Sequence, residues 1–195
     1  PFDLRQEKGR SDYDLRHNFT VTYVYELPFG PGKPMLSGLG GFGKAMLAGW
    51  QVNGITNYRT GFPIRIVIPT DTANTGVSGG QRPNLIGNAI LPASDRTTQR
   101  WFNTSAFAVP AAFTFGNLGR HPISGPGAAN WDFGAYKNFP IREQMAIQFR
   151  AEIFNIFNHT NLELPGGTVT TAQFGRIART STDARDVQFA LRFQF

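Results

Sequence analysis

Apolar and polar positions alternate with a period of two along much of the chain, and the spacing of an amphipathic helix is scarce. Six segments carry the alternation. From Asn18 to Leu27, Phe19, Val21, Tyr23, Tyr25 and Leu27 are apolar or aromatic, with Asn18, Thr20, Thr22 and Glu26 between them. From Met46 to Thr60, Met46, Ala48, Trp50, Val52 and Tyr58 oppose Gln51, Asn53, Asn57 and Arg59, although Ile55 and Thr56 break the pattern. Pro63 to Pro69 alternates Ile64, Ile66 and Ile68 with Arg65 and Val67 after a Thr60-Gly61-Phe62-Pro63 turn signal, so these two segments predict a hairpin. Asn130 to Phe139 sets Trp131, Phe133, Ala135 and Phe139 against Asp132, Gly134, Tyr136 and Asn138, with Lys137 as the exception. A polar turn near Pro140 to Glu143 follows. Met145 to Phe157 then alternates Met145, Ile147, Phe149, Ala151, Ile153 and Phe157 with Gln148, Arg150 and Glu152, and its end is apolar on both faces. Finally Arg185 to Phe195 sets Val187, Phe189, Leu191, Phe193 and Phe195 against Asp186, Gln188, Arg192 and Gln194.

The predicted fold is all-β, an antiparallel sheet of about six strands. Its links are short after the second and fourth strands. After the first (28–44), third (70–129) and fifth (158–184) they are long, irregular and rich in Gly, Pro, Asn and Thr. Short turns on one edge and long loops on the other are the signature of an outer-membrane barrel. Strands of about ten residues also suit a tilted crossing of hydrocarbon. Aromatic residues gather near strand ends, as Tyr25 with Phe29, Tyr58 with Phe62, Trp131 with Phe139 and Phe193 with Phe195, where interfacial girdles lie. In a bilayer each unpaired backbone group costs several kcal/mol, so spanning β-structure must close, and barrels begin at about eight strands. Six strands therefore need further strands from a longer parent chain or copies around a ring. A start at Pro1 with no signal segment favours the longer parent. The other reading is a secreted or surface β-rich binding module with one buried face, which period two alone equally permits.

Composition narrows the classes. Charged residues are 16% of the 195, below the roughly 25% usual for globular domains, as a lipid-facing surface requires. No apolar run reaches the roughly 18 residues of a spanning helix. Cysteine is absent, which removes disulfides, thiolate metal sites and thiol catalysis. The net charge of +6 forms no cluster that would suggest nucleic acid. Arg59, Arg65, Arg150 and Arg192 fall instead on polar strand faces with Glu152, where a lumen-facing role is natural, and Arg150 or Arg192 would pair with Glu152 or with plug carboxylates.

Several runs carry a further resemblance: Asp12-Tyr-Asp-Leu-Arg-His-Asn-Phe19, Tyr23-Val-Tyr-Glu-Leu-Pro-Phe-Gly30, Gly49-Trp-Gln-Val-Asn-Gly-Ile-Thr56, Arg82-Pro-Asn-Leu85, Trp101-Phe-Asn-Thr-Ser-Ala-Phe107, Gly116-Asn-Leu-Gly-Arg120, Gly125-Pro-Gly127, Asn130-Trp-Asp132 and Phe149-Arg-Ala-Glu-Ile-Phe-Asn-Ile-Phe-Asn-His159. Over nearly the whole chain they resemble the C-terminal barrel portion of TonB-dependent outer-membrane receptors. The nearest likeness is to the Oar-like group with a carboxypeptidase-regulatory-like domain, abundant in Acidobacteria. The ending Val187-Gln-Phe-Ala-Leu-Arg-Phe-Gln-Phe195 is similar to the signal that such proteins present to the barrel-assembly machinery, with Val187, Phe189, Leu191, Phe193 and Phe195 as its alternating residues. The resemblance implies a barrel of about 22 strands filled by a plug and energised by periplasmic TonB, both plug and TonB contact lying outside this chain. It also implies lipid and lipopolysaccharide around the barrel and a transported ligand of unknown identity. The first strand would then run from periplasm to surface at Asn18, and the last would end in the periplasm at Phe195.

The remaining motifs are weak. Gly38-Leu-Gly-Gly-Phe-Gly43-Lys44 nearly matches a phosphate-binding loop, but Ala45 replaces the required Ser or Thr, and a flexible surface loop accounts for the glycines. His17, His121 and His159 lack metal spacing, and nothing pairs them for acid–base catalysis, so neither an enzyme nor a cofactor is expected. The Asn18-Phe-Thr20, Asn103-Thr-Ser105 and Asn158-His-Thr160 triplets match the glycosylation pattern by chance in a bacterial barrel. The long connection 70–129 is the candidate substrate loop, with Trp101, Phe102, Asn103 and Phe107 folding over themselves or over the barrel mouth.

Overall fold

The computed structural model describes residues 8–38, 40–77, 79–142 and 145–195. In chain order its elements are β1 (Asn18–Glu26), α1 (Gly41–Leu47), β2 (Trp50–Arg59), β3 (Asn84–Leu85), β4 (Phe107–Ala108), β5 (Ala128–Arg142), β6 (Met145–Phe154) and β7 (Asp186–Gln194). The chain folds as two units, one of Phe19–Tyr58, Ala129–Thr160 and Thr182–Phe195, the other of the chain up to Asn18, Arg59–Ala128 and Asn161–Ser181.

The first of these is a five-stranded sheet in the order β1-β2-β5-β6-β7. Leu27 N–H bonds Trp50 O at 2.9 Å while Asn57 Nδ2 reaches Thr20 Oγ1 at 2.7 Å, so β1 descends as β2 climbs. On the other side of β2, Asn138 N–H bonds Gly49 O and Asn53 Nδ2 bonds Tyr136 Oη, again antiparallel. The β5–β6 and β6–β7 registers place whole rows of side chains on one face: Phe133, Ile153 and Val187; Ala135, Ala151 and Phe189; Phe139, Ile147 and Phe193. The opposite face carries Gly134, Glu152 and Gln188, then Tyr136, Arg150 and Ala190, then Asn138, Gln148 and Arg192. Period two is thus obeyed strand by strand and in register across strands, which a one-residue slip would destroy.

β1 and β7 are the two ends of the sheet, and every residue in both is exposed. The sheet is open. Pro140 lies where the β5–β6 register shifts, consistent with an imino acid that has no N–H for the ladder. The expected turn at Pro140 to Glu143 is strand as far as Arg142; Glu143 lies outside the described residues.

Three expectations about the strands are corrected. Met46 to Ala48 is not strand: residues 41–47 form α1, Gly49 turns the chain at φ 75°, and β2 starts at Trp50, whose Nε1 donates to Met46 O at 2.9 Å. β6 ends at Phe154 because Asn155 adopts φ 49°, so the apolar run 154–157 leaves the ladder. Pro63 to Pro69 makes no strand of the sheet and no hairpin with β2. Its backbone bonds separate segments of the other unit, Ile64 N–H to Ile123 O, Ile68 N–H to Gln81 O and Val67 N–H to Gly167 O. Its alternation is real, but Ile64, Ile66 and Ile68 are buried in a protein core rather than facing lipid.

With five strands instead of six, β1 and β7 run in the same direction. The connection 27–49 therefore lies at the same end of the sheet as the β5–β6 turn and Phe195, opposite to the end expected for it. The connections 60–127 and 155–185 both leave from the other end.

The second unit has its own core of Ile64, Ile66, Ile68, Phe102, Phe107, Leu118, Ile123 and Val169, with Trp101 and Phe174 packed against it. Phe102, Phe107 and Phe174 form a triangle of edge-to-face rings 5.2–5.7 Å apart, a geometry worth roughly 0.5–1.5 kcal/mol per pair beyond burial. Strands β3 and β4 pair above it as a short ribbon. A tight turn follows Asp71. Its carboxyl is held below the usual range by the Thr75 N–H at 3.0 Å, and also by the Gly76 N–H at 2.7 Å, the Gln81 amide and the Thr75 hydroxyl.

Candidate functional site

The polar face of the sheet is a connected network. Tyr136 stands at its centre: its hydroxyl donates to Glu152 Oε1 at 2.8 Å and accepts from Asn53 Nδ2 at 3.3 Å, and the Arg150 guanidinium lies 5.3 Å from its ring centroid. Arg150 Nε donates to Gln148 Oε1 at 2.7 Å, and Gln148 Nε2 donates to Asn138 Oδ1 at 2.9 Å. Gly134 makes the room. A Cβ there would collide with Asn53 Oδ1 and come within 3.0 Å of Tyr136 Oη. Beside this network a cavity of about 210 Å³ is floored by Val24, Ile55 and Phe154 and edged by Asn53, Tyr136 and Glu152.

The expected Arg150–Glu152 and Arg192–Glu152 ion pairs do not form. Tyr136 from β5 takes Glu152 by its hydroxyl, while Arg150 bonds Gln148 and lies against the Tyr136 ring. Arg192 lies opposite Gln148. Arg59 lies at the end of β2 with its guanidinium 4.9 Å from the Phe62 ring centroid. Arg65 is not on the sheet: it belongs to the 63–69 segment of the other unit.

The apolar face carries the alternating C-terminal residues. Val187, Phe189, Leu191 and Phe193 share one side of β7, Phe149 and Phe189 stack with centroids 6.1 Å apart, and Phe195, 94% exposed, stacks on Phe193. Trp131 packs edge-on to Phe157 and His159 at one end of the face, and Phe139 lies in the row of Ile147 and Phe193 at the other. Trp131 to Phe139 is eight residue steps, roughly 27 Å along the strand and about 20 Å after a 40° tilt, close to the height of a bilayer's apolar band.

This face exposes Phe189, Leu191 and Phe193 together, a patch that water would penalise and hydrocarbon would accept. A sequence model of the family described as "Outer membrane beta barrel domain" matches residues 1–188. The chain belongs to the outer-membrane β-barrel domain family. No curated protein and no solved structure matches it. The protein is a component of the bacterial outer membrane, and its sheet has one apolar face, with rows led by Phe133, Ala135 and Phe139, and one polar face that carries the Tyr136 network. No helix among the described residues is long and apolar enough to cross a membrane.

Two features of this sheet are not evident from the sequence pattern. Lys137 lies on the apolar face yet is 2% exposed, because its Nζ bonds Ala48 O and sits 5.1 and 5.0 Å from the Trp50 and Phe139 ring centroids. The aromatic faces stand in for water around the ammonium. Asn155 is also buried, and its side chain closes the β6 exit: Nδ2 donates to His159 O and Asp183 O, Oδ1 accepts from His159 N–H, and its own N–H bonds Asp132 Oδ1. The Asn inside the run Phe154-Asn-Ile-Phe-Asn158 is the signal the sequence offers, since Asn tolerates left-handed φ.

The candidate substrate residues are structural parts of the second unit. Phe102, 0% exposed, and Phe107 fill its core. Trp101 Nε1 bonds Ser124 O at 3.0 Å, and Asn103 caps a short 3-10 turn through Ser105 N–H while its Nδ2 bonds Asn88 O. His17, His121 and His159 are in separate places, and among the described residues no cluster of three or more His, Asp or Glu could hold a metal. Of the phosphate-loop-like run, Leu39 lies outside the described residues and 41–44 begin α1.

Proposed function

We propose that the chain is the C-terminal wall of an outer-membrane TonB-dependent transporter, similar to the Oar-like group, and that it contributes barrel strands, surface segments for substrate uptake and the assembly signal at Val187, Phe189, Leu191, Phe193 and Phe195. The observation that carries this reading is the open, two-faced sheet, whose end strands β1 and β7 are fully exposed. Unpaired strand edges are untenable in hydrocarbon, so the sheet calls for more strands, and a barrel of about 22 supplies them. The β1 direction supports a surface-to-periplasm run for the first strand, with Phe195 in the periplasm. The connections 60–127 and 155–185 then lie outside the cell and 27–49 lies inside. The Tyr136–Glu152–Arg150 network would face the plug, and the protein acts as a transporter rather than an enzyme. TonB, the plug and the barrel-assembly machinery are its partners, with lipid and lipopolysaccharide around it.

The test uses cells carrying the full-length parent. Uptake of its solute is expected to stop when a protonophore collapses the proton gradient, and removing Phe195 is expected to abolish the heat-modifiable inserted form. Gradient-independent flux would sink the TonB reading, and normal insertion without Phe195 would sink the signal reading.

A further inference from the structure

The second unit holds a cavity of about 280 Å³ that the transport reading does not use, and we propose that it binds a phosphate group. Its walls come from three segments held side by side by their backbones: Ile68 N–H bonds Gln81 O at 2.8 Å, Leu118 N–H bonds Pro83 O at 3.1 Å, and Ile64 N–H bonds Ile123 O at 2.8 Å. Each segment brings one arginine to the lining, Arg65, Arg82 and Arg120. The alternation that sends Ile64, Ile66 and Ile68 into the core turns Arg65 the other way, toward this space.

Asp12 is the one acid among the described lining residues, and it is already engaged: its Oδ1 lies 2.6 Å from His121 Nε2. His121 Nδ1 in turn lies 2.8 Å from Arg10 O, so the ring is held from both sides. Asp12 is therefore directed at the histidine rather than at the arginines. Among the described residues, the Arg65 and Arg120 guanidinium groups have no hydrogen-bond or ion-pair partner.

Guanidinium forks match the oxygens of phosphate in pairs of hydrogen bonds, and two unpartnered forks, Arg65 and Arg120, can grip two edges of one tetrahedral anion, whereas a planar carboxylate offers its two oxygens to a single fork. The volume is on the order of nine waters at about 30 Å³ each, enough for a phosphate or a small phosphate ester. Gly119 lines the space with a backbone of ordinary φ, and a Cβ there would meet nothing within 4 Å. The same chemistry could come from a soluble phosphate ester or from a phosphorylated lipid headgroup.

The experiment titrates the full-length parent in detergent micelles with inorganic phosphate, read by equilibrium dialysis. One saturable equivalent is expected, with a dissociation constant on the order of 1 mM, weakened by added salt. Arg65→Glu with Arg120→Glu should weaken it by roughly tenfold or more. Gly119→Leu, which fills the space while keeping every charge, should weaken it too without changing the thermal melt, and Lys44→Glu on α1 should leave it unchanged. Failure to saturate, or binding untouched by both the arginine and the Gly119 variants, would overturn the site. Glycerol phosphate, micelles doped with bisphosphorylated lipid A and micelles doped with its dephosphorylated form then separate the sources: tighter binding by either phosphate carrier upholds the site and names the source.

Discussion

Placing a charge on the lipid face is the sharpest test of the sheet's orientation. Phe189 sits in the row of Ala135 and Ala151, midway between the Trp131 and Phe139 ends of the apolar face, and is 70% exposed there. An arginine in its place meets only apolar side chains across the strand pair, with Ile147, Phe149, Ala151 and Ile153 on β6 and no acceptor among them. Lys137, one row away, adds like charge. At mid-bilayer such a substitution costs about 2–4 kcal/mol, a factor of roughly 30 to 900 in the folding equilibrium. Phe189→Ala isolates the lost stacking on Phe149, about 0.5–1.5 kcal/mol, and leaves the remainder to the charge. Gln188→Arg is the matched control, because Gln188 lies opposite Glu152 on the inward face and a new cation there is expected to be neutral or mildly stabilising. Equilibrium guanidinium unfolding of the assembled barrel in phospholipid bilayers measures all three. Equal effects of Phe189→Arg and Gln188→Arg would refute the assignment of faces.

Phe102→Ala should destabilise the second unit by about 3–5 kcal/mol, since it removes a fully buried ring that packs on both Phe107 and Phe174, and limited proteolysis within 60–127 reads this loss; an unchanged cleavage rate would contradict the core assignment. The Asp71 turn gives a pH dependence of definite sign. Because the folded carboxyl lies below its unfolded value near 3.8, its stabilisation is present above that value and fades as the pH falls through the lower folded one. Hydrogen exchange at the Thr75 and Gly76 amides should therefore lose protection as the pH falls below about 3.8, beyond the change in the intrinsic rate, and Asp71→Asn should abolish the effect.

The strands of the sheet were legible because each shows one apolar side over many residues. In β6 and β7 the odd positions agree from Ile147 to Ile153 and from Val187 to Phe193, and the register pairs them row by row. The same rule misled at Ile64 to Ile68. Period two reports an extended segment with one apolar side, but says nothing of whether lipid or a protein core covers that side, and here the cover is Phe102, Leu118 and Ile123. Losing that one strand also reversed the direction expected for β1. Arg65 went with it, from a lumen face to a cavity wall. Lys137 was visible as a break in the pattern, but its accommodation depends on Trp50, which the strand order, not the sequence spacing, brings alongside. Tyr136 was read as one polar-face residue among several, and its central position follows from Asn53 and Glu152 converging from both neighbouring strands.

The central claim, a wall with one side in lipid and one side in the barrel, can be measured residue by residue because the chain has no native cysteine. Single cysteines placed from Ile147 to Ile153 and from Val187 to Phe193 in the membrane-inserted parent are treated with a water-soluble maleimide and, separately, with a lipid-confined quencher on a thiol-linked fluorophore. The account predicts strict alternation: positions 147, 149, 151, 153, 187, 189, 191 and 193 quenched by lipid and slow to label from water, with their even-numbered neighbours the reverse. Uniform labelling along both strands, or odd positions that react from water, would contradict it.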